Sequence, residues 1–158
     1  MITGEKAPLF KLKNQDGKDV SLSDYFGKRI MLVFYPKDNS TVCTNQLCEY
    51  SDSLNEFEEL GIIVFGISND SVDSHKKFKE KNSIKFDLLS DETKEVCRAY
   101  DVLSIFNLPR RAIFFIDENG YVIYENTTFV FMRQRKYDLL RVIEQKFKKI
   151  KNQPDLTK

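Results

Sequence analysis

The chain alternates between short runs that are apolar throughout and longer stretches where apolar residues return every third or fourth position. Phe10-Lys11-Leu12-Lys13 alternates apolar and polar, Asn14-Gln15-Asp16-Gly17 is turn chemistry, and Val20-Ser21-Leu22 resumes the alternation. This predicts an N-terminal β-hairpin. Ile30 to Tyr35 is uninterrupted and partly β-branched or aromatic, the pattern of a central strand buried on both faces, and Pro36 ends it. Leu47, Tyr50, Leu54, Phe57 and Leu60 follow at spacings of three or four, which predicts a helix with Gly61 at a left-handed C-cap. Ile62 to Ile67 predicts the next buried strand, Ser71 to Lys81 a helix, Phe86 to Leu89 a short strand and Thr93 to Tyr100 another helix. Ala112 to Ile116 is apolar, and Asp117-Glu118-Asn119-Gly120 turns it into an antiparallel partner, Tyr121 to Tyr124. A last helix is predicted from Gln134 to Ile150.

This order, with right-handed crossovers, leaves few topologies. The expected class is α/β: a thioredoxin-like fold with a mixed central sheet, helices on both faces and the hairpin as an addition. At 158 residues the chain is expected to form one domain over residues 1–158, its last few residues flexible.

Composition narrows the class further. The chain is 41% hydrophobic and 31% charged, with 6 Gly and 4 Pro, which excludes collagen-like and disordered polymers. Its longest apolar run, Ile30 to Tyr35, is six residues, against about 20 for a bilayer span. Glu5, Lys6, Lys11 and Lys13 leave no room for an apolar signal core. A soluble, cytoplasmic protein is expected. The net charge of +1 gives no global argument for binding nucleic acid or anionic membranes. Charge is nonetheless uneven: residues 133–151 hold eight Lys or Arg against Asp138 and Glu144. That stretch reads as a basic arm for an acidic partner or as a solvated helix face. The helical repeat of Leu139, Leu140, Ile143, Phe147 and Ile150 favours the second reading. Three cysteines argue against a secreted disulfide framework. One histidine and no C-x-x-C give no tetrahedral zinc set. A special role for cysteine here is therefore reactive.

Such a role falls on the stretch from Pro36 to Cys48, between the end of a buried strand and the start of a helix. Ligands gather at such carboxyl ends of strands in open α/β sheets. Ser40 and Thr41 are N-cap residue types, which puts Cys43 in the first helical turn. Unpaired amides and the positive end of the helix dipole favour a thiolate there; the plainer alternative is a small buried hydrophobe. Cys48 lies five residues on. In a regular helix that offset gives about 7.5 Å of rise and 140° of rotation, so the Cα atoms stand about 8.6 Å apart. A disulfide needs about 4.4–6.8 Å. The pair can bond only if the first turn unwinds. Cys48 also has a plain reading, as a helix-face cysteine packed under a neighbouring strand.

Phe34-Tyr35-Pro36-Lys37-Asp38-Asn39-Ser40-Thr41-Val42-Cys43-Thr44 resembles the P-x-x-x-[ST]-x-x-C signature of the peroxiredoxins, and more narrowly that of the bacterioferritin-comigratory (PrxQ-like) subfamily of the AhpC/TSA family. The resemblance extends to Gly4-Glu5-Lys6-Ala7-Pro8, to Gly17-Lys18 before Leu22-Ser23-Asp24, to Asp70-Ser71-Val72, and to Phe114-Phe115-Ile116-Asp117 with Gly120. It covers residues 4–124 or so. It implies that Cys43 is the peroxidatic nucleophile and Cys48 its resolving partner. By the same resemblance Ser40 and the Cys43 amide hold the peroxide, Pro36 shields the thiolate and an arginine supplies positive charge. The family arginine falls on Arg111, with Arg110 as the alternative, because the segment 103–110 is shorter than the subfamily usually has. The subfamily's R-x-[ST]-F is here Arg111-Ala112-Ile113-Phe114, and Ser51 stands where relatives often carry an arginine.

The expected activity is thus reduction of hydrogen peroxide or organic hydroperoxides without metal or organic cofactor. A thioredoxin- or glutaredoxin-type protein would supply electrons, with no nucleic acid or membrane partner, and the chain is expected to be a monomer. The rival readings are a thiol–disulfide oxidoreductase on the same fold and a redox-inert binding module. The absent C-x-x-C argues against the first; retention of Pro36, Ser40, Cys43 and an arginine together argues against the second. Cys97 is expected to be core packing, with a second redox role as the alternative, and His75 a solvated residue among Ser74, Lys76 and Lys77. Asp16/Asp19 and Glu58/Glu59 show no acid–base geometry.

Overall fold

The computed structural model describes residues 2–128 and 140–146. Its elements run β1 (Lys11–Lys13), β2 (Asp19–Ser21), a 3₁₀ turn (Leu22–Tyr25), β3 (Arg29–Phe34), α1 (Thr41–Asp52), α2 (Leu54–Glu59), β4 (Ile62–Ser68), α3 (Val72–Asn82), β5 (Asp87–Ser90), α4 (Glu95–Ala99), β6 (Arg111–Ile116) and β7 (Val122–Thr128). The strands form one seven-stranded sheet in the order β2-β1-β5-β4-β3-β6-β7. The inner three, β3, β4 and β5, are parallel; β6, β7, β1 and β2 join antiparallel. Parallel neighbours need a crossover, and the helical stretches between them supply it.

Alternation along β3 divides the interior in two, since successive side chains of a strand point to opposite faces. Ile30, Leu32 and Phe34 join one cluster with Phe10, Val20, Leu22, Cys97 and Tyr100. Met31, Val33 and Tyr35 join the other with Cys43, Leu47, Phe57, Phe78 and Ile143. Helix α4 and the N-terminal segment therefore cover one face, while α1, α2, α3 and the helical residues 140–146 cover the other. The mixed sheet and its two helical layers match the expected class.

Differences from the sequence reading are local. The helix expected to run on to Leu60 breaks at Ser53 into α1 and α2. The neighbouring Ser51 explains the break. Its hydroxyl donates to the Ser83 carbonyl and accepts from the Lys85 amide, tying this turn to the loop after α3. Gly61 takes φ +73° beyond the end of α2, the left-handed cap its position implied. Helix α4 starts two residues late, because the Asp91 carboxylate accepts from the Val96 and Cys97 amides and caps it. Of the helix expected at Gln134 to Ile150, residues 140–146 are helical; the rest of it, the basic residues beyond and the final residues expected to be flexible lie outside the described residues. Ile105 and Phe106, 89% and 78% exposed, form a loop tip with Leu108 shortly before Arg111.

The hairpin is attached unusually. Only Lys13 and Ser90 are in register between β1 and β5. The buried side chain of Gln15 continues the ladder: its amide oxygen accepts from the Leu88 N–H at 3.0 Å, and its amide nitrogen donates to the Asp87 carboxylate at 2.9 Å.

Candidate functional site

The site is built where β3 ends. Ser40 adopts φ −74°, ψ 144° and caps α1, its hydroxyl oxygen accepting from the Cys43 amide at 3.2 Å. One of the orphan donors of the helix is thereby satisfied. The turn before it is tight, with Asn39 in the left-handed region at φ +64°, a conformation asparagine tolerates better than most residues. Cys43, Gln46, Leu47, Tyr50 and Ser51 are the buried residues of α1, spaced as one helical face.

Cys43 is fully buried, as a packed hydrophobe would be, yet its neighbour is a cation. Arg111, at the start of β6, is also buried, and its Nη2 donates to the Cys43 Sγ at 2.9 Å. The other arm donates to Gln46 Oε1 at 3.0 Å, and the Gln46 amide nitrogen donates in turn to the Tyr50 hydroxyl at 3.2 Å. A guanidinium fixed at both arms is a pre-set charge aimed at one atom. Arg110, the alternative, is exposed. Pro36 is buried at the end of β3. Gln46 was not singled out from the sequence; its place three residues after Cys43, on the same helix face, is the signal that could have found it.

Cys48 is half-buried in the same helix, and all three cysteines are free thiols. With α1 continuous from Thr41 to Asp52, Cys43 and Cys48 stand at the five-residue helical offset that keeps them out of bonding range. Burial, and then the Asp52 carboxylate, push the Cys48 thiol up from its ordinary range. Cys97 is on the other side of the sheet. Burial pushes its thiol far up, with the Asp91 carboxylate adding to the effect.

His75 corrects the sequence reading. It is fully buried, not solvated. Its lysine neighbours set the local composition, but it lies three residues before the buried Phe78 on the inner face of α3. Its Nδ1 is 2.8 Å from Asp38 Oδ2 and its Nε2 is 3.0 Å from the Leu89 carbonyl oxygen. The Tyr35 hydroxyl donates to Asp38 Oδ1 at 2.7 Å. Asp38, Asp70 and His75 are the metal-capable cluster among the described residues.

A buried sulfur at a helix N-terminus, faced by a guanidinium at the carboxyl end of a mixed sheet, is an arrangement that suits a reactive thiol. Residues 3–125 match the family model of the AhpC/TSA family, and the chain belongs to that family, the thiol-dependent peroxidases of the peroxiredoxin kind. It is 41% identical over 129 residues to peroxiredoxin Bcp of Bacillus subtilis (strain 168), covering 77% of this chain and 82% of the relative. It is 44% identical over 127 residues to the chloroplastic peroxiredoxin Q of Suaeda salsa, covering 78% of this chain. The match spans 59% of that plant relative's length. A solved structure concerned with alkyl peroxide reduction by the bacterioferritin comigratory protein of Xanthomonas campestris superposes with a TM-score of 0.78 at 25% identity, over 89% of this chain and 91% of that one.

Proposed function

We propose that this chain reduces hydrogen peroxide and organic hydroperoxides, with Cys43 as the attacking sulfur and Cys48 as the resolving one. The observation that carries the reading is the Arg111 guanidinium 2.9 Å from the Cys43 sulfur. An inert packed cysteine has no use for a buried charge, whose desolvation is costly unless it is paired. Relationship to a protein described for alkyl peroxide reduction supports organic hydroperoxides as substrates.

In the first step the Cys43 thiolate attacks one peroxide oxygen in line, and the O–O bond breaks. The sulfur is oxidised to a sulfenic acid, and the departing oxygen takes up a proton to leave as water or an alcohol. Arg111 and the Cys43 amide lie where negative charge develops, and such pre-set donors are worth about 10²–10³ in rate. Ser40 orients the peroxide through its hydroxyl, and Pro36 keeps water from the sulfur. In the second step the first turn of α1 unwinds, and the Cys48 thiolate attacks the Cys43 sulfur and expels the hydroxyl as water. The resulting disulfide accepts two electrons from an external dithiol, for which a thioredoxin- or glutaredoxin-type protein is the expected donor. We place the reaction in the cytoplasm and assign it to the monomer: all three cysteines are free, and both apolar faces of the sheet are covered from within the chain. No helix among the described residues is long and apolar enough to cross a membrane.

The test uses one equivalent of peroxide on the reduced protein, followed by thiol counting and peptide mapping. Rapid loss of two thiols with a Cys43–Cys48 linked peptide is expected. Cys43→Ser should abolish peroxide consumption and Cys48→Ser should stop at the sulfenic acid. Unchanged consumption by Cys43→Ser rejects the assignment. A protein that ignores peroxide but exchanges with disulfide substrates is a thiol–disulfide oxidoreductase instead.

A further inference from the structure

The proposed chemistry leaves one buried polar network unused, behind the loop that carries Pro36 and Ser40. Asp38, in the middle of that loop, has a side chain enclosed on every side. Its carboxylate takes the Tyr35 hydroxyl at 2.7 Å, the Ser74 hydroxyl at 2.8 Å and the His75 ring at 2.8 Å. The Asp38 amide donates to Asp70 Oδ2 at 2.8 Å, and the same oxygen takes the Ser68 hydroxyl at 2.6 Å. The loop is thus fastened to the end of β4 through its backbone and to α3 through its side chain.

The ring of His75 faces an acceptor at each nitrogen. The Leu89 carbonyl can only accept, so Nε2 carries a proton; Nδ1 faces a carboxylate. Asp38 and Asp70 are the acidic groups around the ring, and Tyr35 is the third titratable one, 3.4 Å from Nδ1 through its hydroxyl. Burial, and then the adjacent Asp38 charge, push the Tyr35 hydroxyl well above its ordinary range, so it remains a donor. A donor at Nδ1 completes the set around a buried carboxylate, which is costly to leave short of one.

We propose that His75 is a positioning residue, whose ring clamps Asp38 to α3 and thereby sets where Pro36 and Ser40 stand relative to the Cys43 sulfur. This rests on the reading of Cys43 as the attacking sulfur. When the bond at Nδ1 is lost the clamp opens, the loop shifts from α3, and peroxide is held less well.

Two substitutions separate the clamp from plain packing. An asparagine amide stands close to where Nδ1 stood and can still donate to Asp38 without titrating. A glutamine amide stands where Nε2 stood and keeps the bond to the Leu89 carbonyl only. His75→Gln is expected to slow the reaction of Cys43 with hydrogen peroxide by roughly tenfold to a hundredfold, the scale of a misplacement of about 1 Å. His75→Asn is expected to recover most of that loss. Alkylation of Cys43 by iodoacetamide, which needs no peroxide-holding loop, should change far less between the two variants. Asp38→Asn provides a second arm: it takes the charge from the acceptor that the ring clamps, and the peroxide rate should fall towards that of His75→Gln. Equal slowing by His75→Gln and His75→Asn, or no slowing by either, overturns the proposal. Failure of the parent reading looks different, because the wild-type protein would then not react with peroxide at all.

Discussion

At the scale of single residues, Arg111 is the group whose removal is most informative. A methionine there fills much of the volume but supplies no charge, so Arg111→Met should lower the second-order rate with peroxide by about 10²–10³, measured in a single turnover. Arg111→Lys keeps a charge but cannot hold Gln46 and the Cys43 sulfur with one planar fork, and should recover only part of that loss. Arg110→Ala, at an exposed position, should leave the rate unchanged. Cys48 gives a pH prediction with a definite sign. Its thiol is pushed up by burial and then by Asp52, so at neutral pH only a small fraction is thiolate. Disulfide closure, followed by stopped flow after a peroxide pulse, should keep accelerating with pH beyond the ordinary cysteine value of about 8.5. Asp52→Asn should move that rise to lower pH; an unmoved profile would show that another step limits closure.

Secondary-structure elements show how much of this site was legible in the chain. The runs Ile30 to Tyr35, Ile62 to Ile67 and Ala112 to Ile116 gave three strands within a residue or two, because burial on both faces leaves an unmistakable apolar run. The cap at Ser40 and the place of Cys43 in the first turn followed from residue type and position. The break at Ser53 was not legible, because it depends on Ser51 reaching the loop after α3, a contact 32 residues away. His75 misled for a related reason: composition sees its lysine neighbours, whereas burial depends on its phase relative to Phe78. Gly66 in β4 marks a packing limit that sequence also hides. A Cβ there would stand 2.8 Å from Leu88 Cδ2 and 3.4 Å from the Tyr35 ring. Gly66→Ala should therefore cost about 1–3 kcal/mol in denaturant unfolding. Cys97, pressed between α4 and the sheet, should tolerate Cys97→Ala at ~1 kcal/mol with peroxide recycling intact; arrested recycling would name it as the resolving thiol.

For the molecule as a whole, the sheet separates Cys97 from Cys43 and Cys48, and α1 holds the proposed pair apart, so the proposed disulfide requires its first turn to melt. Hydrogen exchange comparing reduced and oxidised protein should show lost protection around residues 41–47 and none in β3. Retained protection in α1 after full oxidation would rule out a Cys43–Cys48 bond. The far end of the same sheet stands on a narrower footing. A side-chain amide, Gln15, works as a stand-in for main chain between the hairpin and β5, its nitrogen end facing the Asp87 carboxylate, which also takes the Asn14 amide at 3.4 Å. Exchange of that one nitrogen for oxygen, as in Gln15→Glu, would set two anions face to face. The fastening should then come loose like an undone clasp and free the turn at residues 14–18, with Phe10, Val20 and Leu22 still held in the core, while the proposed peroxide chemistry at the opposite side carries on undisturbed.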